Sequence, residues 1–256
     1  WLNMLIAPGG SLGGARPKAG VVDEQKQLWI AKFPSLHDEC DIGAWEMCVN
    51  KLAKNAGITV PDAQLKKLNN RFHTFLSKRF DRTKKQKRLH FASAMTLLQR
   101  HDGDDASTGT SYLELAELII KFGAKPDTDL EQLWRRIVFN ICVSNCDDHL
   151  RNHGFLLDPE HGWVLSPAYD MNPTPEGHGL KLNISDTDNS QNLALTKQVA
   201  PFFRLNEENA DRIIDEVTNA VKQWQTVATQ LKISSTEQDH MRRAFRLVGR
   251  SGQGTK

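Results

Sequence analysis

The stretch Ser144-Asn145-Cys146-Asp147-Asp148-His149-Leu150-Arg151-Asn152-His153-Gly154 decides how this chain is read. It follows directly on an apolar segment, 129–143, in which Leu130, Leu133, Trp134, Ile137, Val138, Ile141 and Cys142 form one stripe at helical spacing. It precedes an apparent hairpin, 154–157 and 163–165, turning on Asp158-Pro159-Glu160-His161-Gly162. After the hairpin comes a second polar stretch, Pro167-Ala168-Tyr169-Asp170-Met171-Asn172-Pro173. Polar residues gathered in two loops at the ends of apolar elements are a site signature.

Spacing sharpens this reading. Asp147 and Asn152 are five positions apart, a strand pair intervenes, and Asp170 follows. Protein kinases use the same order: a catalytic-loop Asp, an Asn five later, a strand pair and a metal-binding Asp. The chemistry explains it. One carboxylate accepts a hydroxyl proton, while an amide oxygen and a second carboxylate share Mg²⁺, which prefers hard oxygen ligands. A rigid hairpin holds the two loops at fixed separation.

Upstream, residues 7–20 carry five of the 17 glycines, ahead of an expected strand at 21–22, a polar turn at 23–27 and a strand at 28–33. The second strand contains Trp29-Ile30-Ala31-Lys32, ending in a Lys like the phosphate-pairing Lys of kinases. In the loop 9–14, backbone N–H groups including those of Gly13 and Gly14 can cradle phosphates, with Lys18 and Lys32 facing the nucleotide. Ala15-Arg16 after Gly14 excludes a Walker A loop. Residues 43–57 read as an amphipathic helix through Trp45, Cys48, Val49, Leu52, Ala53 and Ala56, closed by Gly57. Glu46 on that helix can pair with Lys32.

Strands are expected at 59–60 and 72–80, separated by a polar segment, 62–70. Helices are expected at 113–122, at 207–231 through Ile213, Val217, Val221, Trp224 and Leu231, and at about 236–247. The pattern is α+β and bilobal: a small β-rich N-lobe over 1–80 and a larger, mostly helical C-lobe over 81–256.

Composition narrows the function classes. Across 256 residues, 33 Lys and Arg nearly balance 31 Asp and Glu for a net charge of +2, too little basic excess for a nucleic-acid coat. Charged residues at 25% and hydrophobic ones at 39% argue against disorder, collagen and coiled coil. No apolar run reaches the ~20 residues of a membrane span, and 1–7 is too short for a signal peptide. Four cysteines without a C-x-x-C pair make neither a disulfide scaffold nor a zinc cage, so a reducing cytoplasm is the expected compartment. The chain opens on Trp1 rather than Met, which implies a missing front piece.

Taken singly, each feature has a structural explanation. A glycine loop is often a turn, Lys32 could be a solvated strand end, and Glu46 an exposed helix residue. His149 and His153 at i, i+4 could ligate a metal, but the loop setting and Gly154 favour a structural His149 that positions the loop. Cys142 and Cys146 fit core packing, and the run Thr83-Lys84-Lys85-Gln86-Lys87-Arg88 a solvated face. Taken together and in order, the kinase-like features outweigh coincidence.

The residues then resemble a known family. Gly-Gly-Ser-Leu-Gly-Gly-Ala-Arg-Pro-Lys (9–18), Lys-Arg-Phe-Asp-Arg (78–82), Asn-Cys-Asp-Asp-His-Leu-Arg-Asn (145–152) and Ala-Tyr-Asp-Met (168–171) are similar to segments of the HipA serine/threonine kinases, toxins of HipA/HipB toxin–antitoxin modules. The resemblance runs from about 8 to 245. It implies Asp147 as catalytic base, Asn152 and Asp170 as Mg²⁺ ligands, Lys32 on the ATP phosphates, Lys78 to Phe80 as the hinge beside adenine, and Ser11 as an autophosphorylated loop serine. It also implies an aminoacyl-tRNA synthetase as substrate, a helix-turn-helix antitoxin as partner, and DNA contact only through that antitoxin. A catalytically silent kinase-like binding module and a small-molecule kinase are the alternatives. Two departures from the pattern stand out. Asp170-Met171-Asn172 replaces the Asp-Phe-Gly of protein kinases. Most family members also carry a further module ahead of the glycine loop, which implies a trimmed chain or a module on a separate polypeptide.

Overall fold

The computed structural model describes residues 5–6, 16–68, 71–83 and 85–248. The front of the chain builds an antiparallel five-stranded sheet from β1 (Leu5–Ile6), β2 (Lys18–Val22), β3 (Leu28–Lys32), β4 (Ala63–Lys66) and β5 (Thr74–Lys78), in the order β1-β2-β3-β5-β4. Alternation along β3 sets its two faces. Trp29 and Ala31 are buried with Val21 and Leu76 in a small core, while Ile30 and Lys32 line a cleft on the opposite side.

Helix α1 (Ile42–Asn55) packs across β4 and β5. Asp41 starts it by accepting the Ala44 amide at 3.1 Å, and Gly57 leaves it at φ +76°. Gly43 is required at its first turn, because a Cβ there would collide with the His73 carbonyl. Trp45, Cys48, Val49 and Leu52 are fully buried in the larger core, as their spacing predicts.

The back half is mostly helical. It contains α2 (Ala94–Leu97), α3 (Tyr112–Phe122), α4 (Pro126–Val143), α5 (Leu193–Val199), α6 (Glu207–Val221), α7 (Trp224–Gln230) and α8 (Ser235–Met241). Helix α4 starts with Pro126 in its first turn and stops at Ser144, in the left-handed region at φ +50°. A second sheet, β6-β7-β8, is made of β6 (Phe91–Ser93), β7 (Gly154–Asp158) and β8 (Gly162–Leu165). All four cysteines are free, and burial pushes the Cys142 thiol up to about 12. Among the described residues no helix is long and apolar enough to cross a membrane.

The sequence reading does not anticipate β1, β6, α2 or α5, and β2 begins at Lys18 rather than Val21. Three expected elements are also redrawn. Residues 59–60 are not a strand; the strand lies inside the polar segment, as β4. It pairs with β5 alone and is half-buried along its length, so Ala-Gln-Leu-Lys carries no apolar alternation. The expected helix 207–231 turns at Lys222 and Gln223 and becomes α6 and α7. That turn accompanies the stacking of Trp224 on Phe245 at 4.5 Å, with Trp45 6.3 Å from both rings. The last helix ends at Met241 and tightens into a 3₁₀ turn, Arg242–Phe245.

Candidate active site

Between sheet and helices lies a cleft of about 750 Å³. Seven of the expected site residues line it: Lys18, Lys32, Glu46, Lys78, Phe80, Asn152 and Asp170. They come from β2, β3, α1, the end of β5 and the two polar loops. Gly13, Gly14 and Ser11 lie outside the described residues.

Lys32 is the electrostatic centre. Its Nζ lies 2.5 Å from Glu46 Oε1 and 2.7 Å from Asp170 Oδ1. Burial alone would lower the lysine pKa, but the two carboxylates reverse this and hold it above its usual value. Burial pushes Glu46 up, with Lys32 pulling against it. Asp170 ends below the ordinary carboxylate range, because Lys32 outweighs its burial. Lys18 Nζ stands 3.8 Å from Asp170 Oδ2, so each oxygen of Asp170 faces a lysine. Asp170 sits at φ +60°, a region non-glycine residues rarely occupy and one concentrated at functional sites.

The loop after α4 is tied down from behind. Asp147 is exposed, and its side chain does not line the cleft. Its carbonyl accepts the His149 amide at 2.9 Å and Asn152 Nδ2 at 3.0 Å. With Nδ2 engaged there, the oxygen of Asn152 is the atom left for a cation. Asp170 and Asn152 both line the cleft and are the hard-oxygen pair there that could hold Mg²⁺.

Three features escaped the sequence reading. Asp148 is buried, and its Oδ2 accepts from Tyr112 Oη at 2.7 Å, Asn140 Nδ2 at 2.7 Å and His153 Nε2 at 2.8 Å. Burial pushes its pKa up, but His153 and these hydrogen bonds outweigh that and lower it. His153 therefore does the structural work expected of His149, and His149 lines the cleft. The run of aspartates and the second histidine were the available signals. After β5, Asp81 takes Arg79 Nε at 2.7 Å, Arg79 Nη2 at 2.5 Å and Arg82 Nη1 at 2.6 Å, fixing the turn. The Lys78 and Arg79 amides are already engaged with Asp62 and Leu28, so they are not free to read a ligand. Finally, Phe80 lies 5.6 Å from Tyr169 and 6.1 Å from Phe91, an aromatic cluster on the cleft wall.

A β-rich lobe with a buried Lys–Glu pair, facing a helical lobe with an Asp-x₄-Asn loop and a second Asp, defines a kinase-like fold. The chain belongs to the HipA-like C-terminal domain family, whose model matches residues 10–224. A Haemophilus influenzae protein named "Putative kinase" is 28% identical over 188 residues, covering 66% of this chain and 54% of that protein. "Putative kinase Y4dM" of Sinorhizobium fredii is 27% identical over 219 residues, covering 78% and 51%. The chain thus spans about half the length of the curated relatives it matches. Among solved structures, the HipA, HipB and operator DNA complex of Shewanella oneidensis matches at TM-score 0.75 and 18% identity, over 95% of this chain and 65% of that one. The Helicobacter pylori proinflammatory kinase CtkA matches at TM-score 0.53 and 14% identity, over 90% and 94%. These two likenesses are of fold.

Proposed function

We propose that this chain is an ATP- and Mg²⁺-dependent protein serine/threonine kinase of HipA type. The observation that carries the reading is Lys32 Nζ bridging Glu46 and Asp170 across the cleft. A buried lysine held charged opposite a metal-binding carboxylate is what phosphoryl transfer needs, because catalysis there is mainly positioning and charge neutralisation. Asn152 Oδ1 and Asp170 would hold Mg²⁺, which supplies charge neutralisation on the phosphates. Lys32 and Lys18 would contact phosphate oxygens, and Phe80 with Tyr169 would flank the adenine. Asp147 accepts the proton of the acceptor hydroxyl as its oxygen bonds to the γ-phosphorus and the bridging bond to ADP breaks. The domain division follows this plan, with nucleotide-handling strands in 1–80 and the two polar loops in 81–256.

By its resemblance to the family, the acceptor is a serine or threonine of a translation protein, an aminoacyl-tRNA synthetase, and the partner is a HipB-like antitoxin that carries any DNA contact. Ser11 is the autophosphorylation site on the same grounds. A phosphate there adds about −2 charge and should eject or reorder the glycine loop, switching off ATP binding. Mass spectrometry of active, purified chain should find phosphate at Ser11.

The decisive experiment is Asp147→Asn. Because Asp147 is exposed, the melting temperature should not move, while transfer from radiolabelled ATP should fall at least about 10²–10⁴-fold, the usual worth of a general base. Incorporation at wild-type rate would overturn the assignment.

A further inference from the structure

Asp147 and Asp170 sit on separate loops, and a reaction catalysed by positioning requires their spacing to be fixed. One face of α4 carries that spacing. Asp129, Arg136 and Asn140 are seven and four positions apart, so they share one stripe, and all three are buried. Arg136 Nη2 donates to the Ser166 carbonyl at 2.5 Å, where the loop holding Asp170 begins. Asp129 Oδ2 accepts the Leu165 amide at 2.9 Å, one residue earlier. Asn140 Nδ2 donates to Asp148 at 2.7 Å, the neighbour of Asp147. Asn140 Oδ1 accepts from Asn145 Nδ2 at 3.1 Å, and Asn145 Oδ1 accepts the Asn172 amide at 3.4 Å, just beyond Asp170. Both loops are therefore gripped on either side of their carboxylate, and every grip runs back to the same helix face.

This stripe is a poor way to stabilise a fold. Arg136 is 3% exposed, and its Nε and Nη1 have no hydrogen-bond partner among the described residues. Replacing a whole buried ionic cluster by apolar side chains of similar volume is often neutral or stabilising, so stability alone does not call for Arg136, although removing it by itself leaves Asp129 and Asp148 less compensated. We infer that Arg136 and Asn140 are positioning residues for phosphoryl transfer, setting the spacing between the catalytic loop and the metal-binding loop. The inference rests on the kinase reading above.

The test compares wild type, Asp147→Asn, Arg136→Met, Arg136→Lys and Asn140→Ala in the full chain. It measures kcat and KM for ATP with casein as a generic acceptor, alongside melting temperature. Misplacement of reacting groups by about 1 Å can cost about 100-fold, so Arg136→Met should lower kcat by that order while KM for ATP stays within about threefold. The melting temperature should fall, because buried Asp129 and Asp148 lose a compensating charge, so rates are compared well below it. Arg136→Lys keeps the charge and should restore most of the rate by donating to the Ser166 carbonyl. Where Arg136→Met fails to fold, Asn140→Ala decides, with the same kcat loss at constant KM. Unchanged kcat in a folded variant, or a rate loss that tracks melting temperature and is not rescued by lysine, overturns the inference. A wild-type chain that transfers phosphate neither to casein nor to itself, and so matches Asp147→Asn, overturns the kinase reading instead.

Discussion

Replacing Lys32 with Met removes one charge from the centre of the cleft at little change in volume, and its cost can be worked from the geometry. Lys32 and Glu46 are 10% and 7% exposed as side chains, with Nζ and Oε1 2.5 Å apart. Removing one partner of a buried pair strands the other, at about 3–5 kcal/mol. Asp170, a third exposed, adds at most about 1 kcal/mol, because solvent screens it. At about 2–4 °C per kcal/mol for a chain of this size, the Glu46 cost alone lowers the melting temperature by roughly 6–20 °C. The loss must depend on pH. Burial already raises the Glu46 pKa against the pull of Lys32, and without the lysine it rises further. An acid raised in the folded state stabilises fully below its unfolded pKa, about 4.3, and that stability is lost as pH climbs through the folded value. The deficit of Lys32→Met relative to wild type is therefore smaller at an assay pH of about 5 than at one of about 8, because Glu46 loses its proton as pH rises. Adding Glu46→Gln removes the stranded charge and recovers most of the loss at the higher pH. Guanidinium unfolding followed by tryptophan fluorescence at both pH values measures it. An equal deficit at the two pH values, or a double variant no better than the single one, would refute the reasoning.

Phe245→Ala should cost about 3–5 kcal/mol, the usual range for a buried phenylalanine, because Phe245 is 1% exposed and stacks on Trp224. It lies in the core beside α1 rather than in the cleft, so chemical denaturation should show the loss while the thermal shift on adding Mg²⁺ and ATP persists. Asp148→Asn should flatten acid denaturation. The Asp148 pKa is lowered in the fold, so its stabilisation is present above the unfolded value of about 3.9 and lost as pH falls through the folded value. A titration of unfolding free energy below about pH 4 that is as steep in the variant as in wild type would contradict that assignment.

Local pattern carried the helices and the glycine-bounded hairpins well, because each wears its period on the surface of the sequence. Residues 43–57 show a buried stripe from Trp45 to Ala53, and α1 buries those residues. Residues 129–143 show another, and α4 extends only three residues further at its start, to Pro126. Where a partner elsewhere in the chain supplies the reason for an element, no such period exists. The edge strand β4 is held by its ladder to β5, and α6 gives way to α7 where Trp224 stacks on a residue 21 positions away in the chain.

The site follows the same division. Spacing identified the loops that carry Asp147, Asn152 and Asp170, since five positions and a hairpin are local facts. It set Asp147 apart as the residue five before Asn152 but gave Asp148 no duty of its own, because nothing local shows what lies behind the loop. Tyr112, Asn140 and His153 arrive there from three different elements, and together they draw Asp148 inward and leave Asp147 exposed. A carboxylate that must meet an incoming hydroxyl needs an exposed oxygen, and one that must hold a loop needs buried donors. On the proposed mechanism the pair is thus a division of labour set by what α3, α4 and His153, just ahead of β7, present to it. The clearest physical difference between the two residues is the number of hydrogen-bond donors within reach.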